Sequence, residues 1–235
     1  GGILGVGENT LLYGIQTWFI FALPYYFFAI IYAFFIAPKI REKGFLSLPD
    51  HFHNSFGERA GITSALIISF LASPAPYILS LGVILQFLFG IELGISLLLS
   101  TFISIIYIWN GGFSAIVATD RVQFILMFAG FISLFTFLYI DSGSPIKLLH
   151  SLPVAMMDPL GGNSLQYLLV WFFIASWTFI DPGFYQRCSA AENPDTAKKG
   201  ILLSIFFWAI FDFLTLVCGL YAIGKISPEQ ALLTY

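Results

Sequence analysis

Apolar runs of about 20 residues, the length a helix needs to cross a bilayer, recur along this chain between short polar stretches. Nothing limits its fold more. Inside hydrocarbon a backbone satisfies its hydrogen bonds only as a helix or a closed barrel. The runs fall at residues 14–37, 61–89, 93–109, 119–140, 166–185 and 201–223, after an apolar stub at residues 1–6. They predict an all-α polytopic membrane protein with six full transmembrane helices and a partial one. Residues 1–235 read as a single transmembrane domain, incomplete at both ends. Composition agrees: 10% of residues are charged, against about 25% in a soluble domain.

The formal net charge is −3 and no basic stripe exists, so no nucleic-acid partner is expected. The lipid bilayer is the partner that the composition implies, and the oligomeric state stays open. Cys188 and Cys218 fall near opposite ends of successive spans, so neither a disulfide nor a metal framework is read. Gly1 opens an apolar, glycine-rich phrase without the charged flank and cleavage site of a signal peptide, so the chain reads as an internal piece.

Basic residues collect in cytoplasmic loops. Lys39, Arg41, Lys43 and Arg59 lie between the first two spans, Arg121 between the third and fourth, and Arg187, Lys198 and Lys199 between the last two. Only Lys147 and Lys225 lie on the other side. This distribution puts both ends of the chain outside. In the first connection Leu48, Phe52 and Phe56 are spaced by four, which predicts a short amphipathic helix on the inner membrane face. His51 and His53 are two apart, would diverge on that helix, and read as part of a solvated loop.

Residues 170–200 do what a plain anchor does not. An apolar run meets Thr178, Asp181, Pro182 and Gly183 before leaving the membrane through Gln186 and Arg187. Backbone groups freed by such a break are tolerated at membrane depth only where protein buries them or water reaches them, and broken helices are where secondary transporters hold substrate and ions. Pro24, Pro74 and Pro76 also sit inside spans, as packing kinks or hinges. Asp212 lies mid-span, and a carboxylate there is a functional candidate by default. The other reading is a hydrogen bond to a helix beyond this chain.

Between the third and fourth spans, Gly111 and Gly112 predict a tight turn, with Asp120 and Gln123 at the start of the next helix. An acid followed three residues later by Gln resembles a capping box, which would give Asp120 a purely local role. The whole phrase GGFSAIVATDRVQ, residues 111–123, resembles a conserved-pattern stretch of the sodium:solute symporter family, GG-x-x-A-V-x-x-T-D-x-x-Q. Gln186, Arg187, Ala190, Ala191, Ala197 and Gly200 are similar to a second phrase of that family, and EKGFLSLPDHF to a third.

The resemblance spans essentially the whole chain. It implies an inverted-repeat core of ten helices, five up and five reversed, of which the stub and six spans would be core helices 1 to 7. It implies sodium-coupled symport of a small organic solute, in the cell (plasma or inner) membrane, with no cofactor and Na+ as coupling ion. The family's shared sodium site uses core helices 1 and 8, so this chain does not complete it. Trp177 falls where sugar-transporting members resemble one another in an aromatic inner gate, or else is a packing or interfacial Trp. Asp120 matches the acid near the cytoplasmic sodium exit.

Departures from the family's pattern bear on the solute. Asp181 stands where relatives often carry Gln or Asn, and Ala22 and Leu23 stand where sugar transporters present polar ligands. These favour an amino acid, a quaternary amine or a small carboxylate over a sugar. The candidate substrate-binding and gate residues are therefore Trp177, Thr178, Asp181 and Asp212, with Asp120 in the ion pathway. The alternative is a transporter-like sensor or input module of a signalling protein. An enzyme is not expected: no Ser-His-Asp arrangement or HExxH phrase is present.

Overall fold

The computed structural model describes residues 2–223, without the side chains of residues 2–4, 107, 108 and 110–115. Lys225, expected on the outer side, lies outside the described residues. Among the described residues twelve α-helices follow one another: α1 Gly2–Tyr13, α2 Gln16–Phe21, α3 Leu23–Phe35, α4 Ala37–Lys43, α5 Leu48–Phe56, α6 Glu58–Leu71, α7 Ala75–Phe89, α8 Leu93–Ser142, α9 Pro145–Ser151, α10 Leu165–Ile174, α11 Pro182–Ser189 and α12 Pro194–Ala222. Short 3-10 turns occupy Val154–Met157 and Ala175–Ile180. The described residues hold no strand.

Prolines set the joints. Ala22 breaks the first span (φ −117°, ψ −67°) just before Pro24, which sits in the first turn of α3. There its missing N–H has no helical partner to lose. Pro74 is the N-cap of α7 and Pro76 sits in its first turn in the same way. The amphipathic helix forms as expected, with Ser47 and Asp50 making a reciprocal capping box at its start, Leu48 buried and Phe56 exposed.

The core lies where α3, α4, α11 and α12 meet. Ala29, Ala33 and Ala37, each fully buried, recur every four residues and make one smooth stripe. Small residues let helices approach closely in lipid, where large apolar side chains gain nothing by leaving the tails. Tyr32, Ile40, Tyr185, Cys188, Ala197 and Ile201 close over that stripe. Arg41 ties one end of the bundle, donating to the carbonyls of Ser189 at 3.1 Å and Glu192 at 3.4 Å. The basic connections after α3 and after α11 thus share one end of the bundle.

At the other end, residues 154–163 fold over the start of α2. Gly14 turns in the left-handed region at φ 60°, and a β-carbon there would overlap the Met156 carbonyl, so this joint requires glycine. Ile15 N–H donates to that carbonyl at 3.0 Å. Buried Gln16 donates to the Leu160 carbonyl and accepts from Asn163 at 3.3 Å.

One expectation fails. The third and fourth spans are not two helices joined at Gly111 and Gly112 but one continuous α8 of 50 residues. Glycines permit a turn without demanding one: each costs a helix roughly 1 kcal/mol, much less than the ~3 kcal/mol of proline, and no proline follows. Among the described residues of α8, Ile116–Ser142 is long and apolar enough to cross a membrane, with Leu93–Ile106 a shorter apolar stretch. Five such spans therefore occur among the described residues where six were expected. The α7 helix packs on the first half of α8, Gly82 facing Leu97. The α12 helix packs on the second half through Phe124, Phe128, Phe131, Phe207 and Phe211.

Candidate functional site

The break expected near Thr178 is present, and it is longer than a kink. The α10 helix stops at Ile174, a tightened 3-10 stretch carries the chain through Ala175–Ile180, and Asp181 is extended (φ −66°, ψ 118°) before α11 begins. Asp181 is the N-cap of α11: its Oδ1 accepts from the Phe184 N–H at 2.9 Å. Pro182 follows in the first turn. A carboxylate at a helix N-terminus is stabilised both by that bond and by the helix dipole. Asp181 is half-buried.

Thr178, 2% exposed, donates to the Ala175 carbonyl at 2.9 Å and so satisfies one backbone group that the broken helix leaves over. Trp177, half-buried, sits in the same stretch. Phe28 of α3 meets Phe179 edge-on at 5.4 Å and Phe172 at 5.3 Å, clamping the break from one side. Trp177, Thr178 and Asp181 thus come together on one irregular segment.

Asp120 lies elsewhere, on α8. It is deep inside α8, so the capping-box reading is overturned: no helix begins there. Its Oδ2 instead accepts from Arg187 at 3.0 Å, with both side chains about half exposed. Arg187 also donates to the Gly183 carbonyl at 3.3 Å. The acid of one sequence phrase is therefore joined to the arginine of another, 67 residues away. Sequence reasoning singled out both phrases and missed their bond.

Asp212, on α12, has a partner within this chain. Tyr26 of α3 donates to its Oδ2 at 2.5 Å. Around Asp212 lies a cavity of about 10 Å³, bordered by Thr17, Trp18 and Ala22 among others, which is room for one water-sized occupant. Trp18 stacks on Phe213, ring centroids 5.4 Å apart, and closes that side. Tyr26, Thr17 and Trp18 carried no signal in the sequence, since each reads as ordinary membrane filling. Asp212 carried one, by its charge.

Comparison with known proteins bears on this geometry as a whole. The sequence profile described as "Sodium:solute symporter family" matches residues 1–230. A sodium/glucose cotransporter of Vibrio parahaemolyticus is 26% identical over 222 residues, 86% of this chain and 41% of that protein. The high-affinity choline transporter 1 of Caenorhabditis elegans is 33% identical over 98 residues, 40% of this chain and 17% of the relative. Its human counterpart is 26% identical over 134 residues, 55% of this chain and 23% of that protein. The chain thus spans less than half the length of these curated relatives. A profile match over nearly every residue, on an all-α multi-pass membrane protein whose matching phrases meet through Asp120 and Arg187, leaves one assignment: the chain belongs to the sodium:solute symporter family.

Proposed function

We propose that the protein carries out sodium-coupled symport of a small organic solute by alternating access in the cell (plasma or inner) membrane. The helix broken between Ile174 and Pro182 carries this reading. It places an aromatic ring, a buried hydroxyl and a carboxylate on one irregular segment inside an otherwise apolar span. Trp177, Thr178 and Asp181 line the solute's path, Asp120 with Arg187 guards the inner exit of the ion, and Asp212 gates by holding α12 to α3 through Tyr26.

Of the solutes considered, an amino acid, a quaternary amine or a small carboxylate, the amine suits Asp181 and Trp177 best. A carboxylate pairs with a cation, and an indole face attracts one by roughly 0.5–2 kcal/mol. The choline transporters among the relatives support that choice, and Ala22 and Leu23 lack the polar groups expected of a sugar carrier. Coupling needs no covalent step. Sodium favours the solute-binding state, reciprocity makes solute favour sodium, and the membrane potential adds about 2.3 kcal/mol per charge per 100 mV.

Uptake by the full-length protein in proteoliposomes, with and without an inward sodium gradient, tests this against amino acids, quaternary amines, small carboxylates and sugars. Sodium-driven accumulation of a quaternary amine, lost in Asp181→Asn, is the expected result. Binding without accumulation under any ion gradient overturns symport and leaves the sensor module as the reading.

A further inference from the structure

A half-open cavity of about 310 Å³ lies where α4, α5, the 3-10 stretch Ala175–Ile180 and α11 meet. Most of its wall is apolar, with Ile36, Leu48, Phe52 and Ile180 among the lining side chains. Lys39 and Lys43 of α4 border it too, and no carboxylate does. Four residues apart, the two lysines share one face of their helix. Both are exposed, and neither makes an ion pair with a described residue. Asp50, the acid of α5, is turned to its own helix start, accepting from the Ser47 N–H at 3.0 Å and the Ser47 hydroxyl at 2.7 Å. Two cations without an ion-pair partner among the described residues thus border an oily cavity.

Their depth matters as much as their charge. The first span ends at Phe35, and at 1.5 Å per helical residue Lys39 and Lys43 follow it by roughly 6 and 12 Å. The headgroup layer adds about 5–8 Å to each side of the hydrocarbon, so Lys39 stands within it and the flexible stem of Lys43 reaches back to it. The excess of basic residues reads this end as cytoplasmic, and that leaflet carries anionic lipids. A second cavity of about 430 Å³, between α5 and α6, shares Leu48, Phe52 and Ile180 with the first and adds Arg59. Apolar room therefore continues on both sides of those three side chains.

We propose that this cavity binds one anionic phospholipid of the surrounding bilayer, its phosphate between Lys39 and Lys43 and an acyl chain against Leu48, Phe52 and Ile180. A soluble anion satisfies the lysines and leaves the apolar wall uncovered; an uncharged lipid does the reverse. An amphiphile with a negative head meets both. Because Phe179 and Ile180 belong to the 3-10 stretch, the lipid touches the broken helix and joins it to α4 and α5. The site stands apart from the symport reading, since binding requires neither sodium nor solute.

Native mass spectrometry of the purified full-length protein, titrated in detergent with phosphatidylglycerol, phosphatidylcholine or glycerol phosphate, counts what each chain retains. One phosphatidylglycerol per chain is expected, with neither of the other two held. Joint Lys39→Gln and Lys43→Gln should weaken that binding roughly 30-fold, the effect of removing two lysines at a membrane surface. Ile180→Trp fills the apolar part while keeping both lysines, and should also expel the lipid. Retention unchanged without the lysines overturns the site, and retention unchanged in Ile180→Trp means charge alone holds the lipid outside the cavity. Glycerol phosphate bound as tightly as phosphatidylglycerol would make this a plain anion site. A native protein that retains no lipid would mean that the rest of the full-length chain fills the cavity, and either result ends the proposal.

Discussion

Two regions of this protein are equally apolar and pack in opposite ways. Of the most apolar window in Gln16–Phe35, 44% is buried, against 6% in Glu58–Phe89 and none in Ile116–Ser142. The difference lies in which side chains fill the helix. The first region carries Gln16, Thr17, Ala22, Ala29 and Ala33, all buried, while the second shows Leu66, Phe70, Phe87 and Ile125 outward. Large apolar side chains lose nothing by facing lipid tails, so they mark a crossing helix and say little about its neighbours. Packing is written in the small and polar positions. Even α8 follows the rule, since Ser96 and Ser100, where α7 packs, are the fully buried residues among its described side chains.

The sharpest way to break this contrast is to delete a large side chain from each region. Tyr32, 1% exposed at the centre of the alanine stripe, should cost about 3–5 kcal/mol as Tyr32→Ala, the range for a buried aromatic. Phe70, 85% exposed, should stay within about 0.5 kcal/mol as Phe70→Ala. Unfolding of both variants in detergent reads the difference. Comparable losses would mean that the outward face of α6 is a packed surface in the whole protein and that the two regions are alike.

The same contrast explains what the sequence disclosed. Span length and the break at residues 175–183 were legible because they depend on local chemistry: a run's length against the bilayer, and Asp181-Pro182-Gly183 against helix geometry. Gly111-Gly112 misled, because a glycine pair removes a preference without imposing a bend. Contacts between helices were not legible. Asp212 and Tyr26 are 186 residues apart, and which faces meet is settled by the alanine stripe as a whole. Asp120 and Arg187 each stood in a recognisable phrase, and only the packing of α8 against the bundle joins them.

That bond is a polar link between the exposed α8 and the broken helix, so removing it sharpens the comparison by a smaller amount. A double-mutant cycle on Asp120→Asn and Arg187→Gln should give a coupling of about 0.2–1 kcal/mol, as for other solvent-exposed pairs. In transport, Asp120→Asn should raise the half-saturating sodium concentration more than that of the solute. Sodium dependence left unchanged would remove Asp120 from the ion pathway and reduce the pair to a tether.

The smallest expected effect tests the boundary itself, at α5, which lies between α4 of the bundle and α6. His51 sits there beside Phe45, ring centroids 5.6 Å apart, and burial first, with the Lys43 charge second, holds its pKa below the ordinary value. The sign follows from linkage. An unfolded chain takes up a proton at His51 near pH 6.5, before the folded one does, so the folded state loses stability as pH falls through that value towards the lower folded pKa. Above it, His51 is neutral in both states and contributes no pH dependence. Thermal unfolding from pH 8 to pH 5 should therefore fall more in the native protein than in His51→Gln, which has no proton to gain. Parallel profiles would mean that the imidazole is solvated, and that α5 floats on the bundle as freely as α6 and α7 face outward.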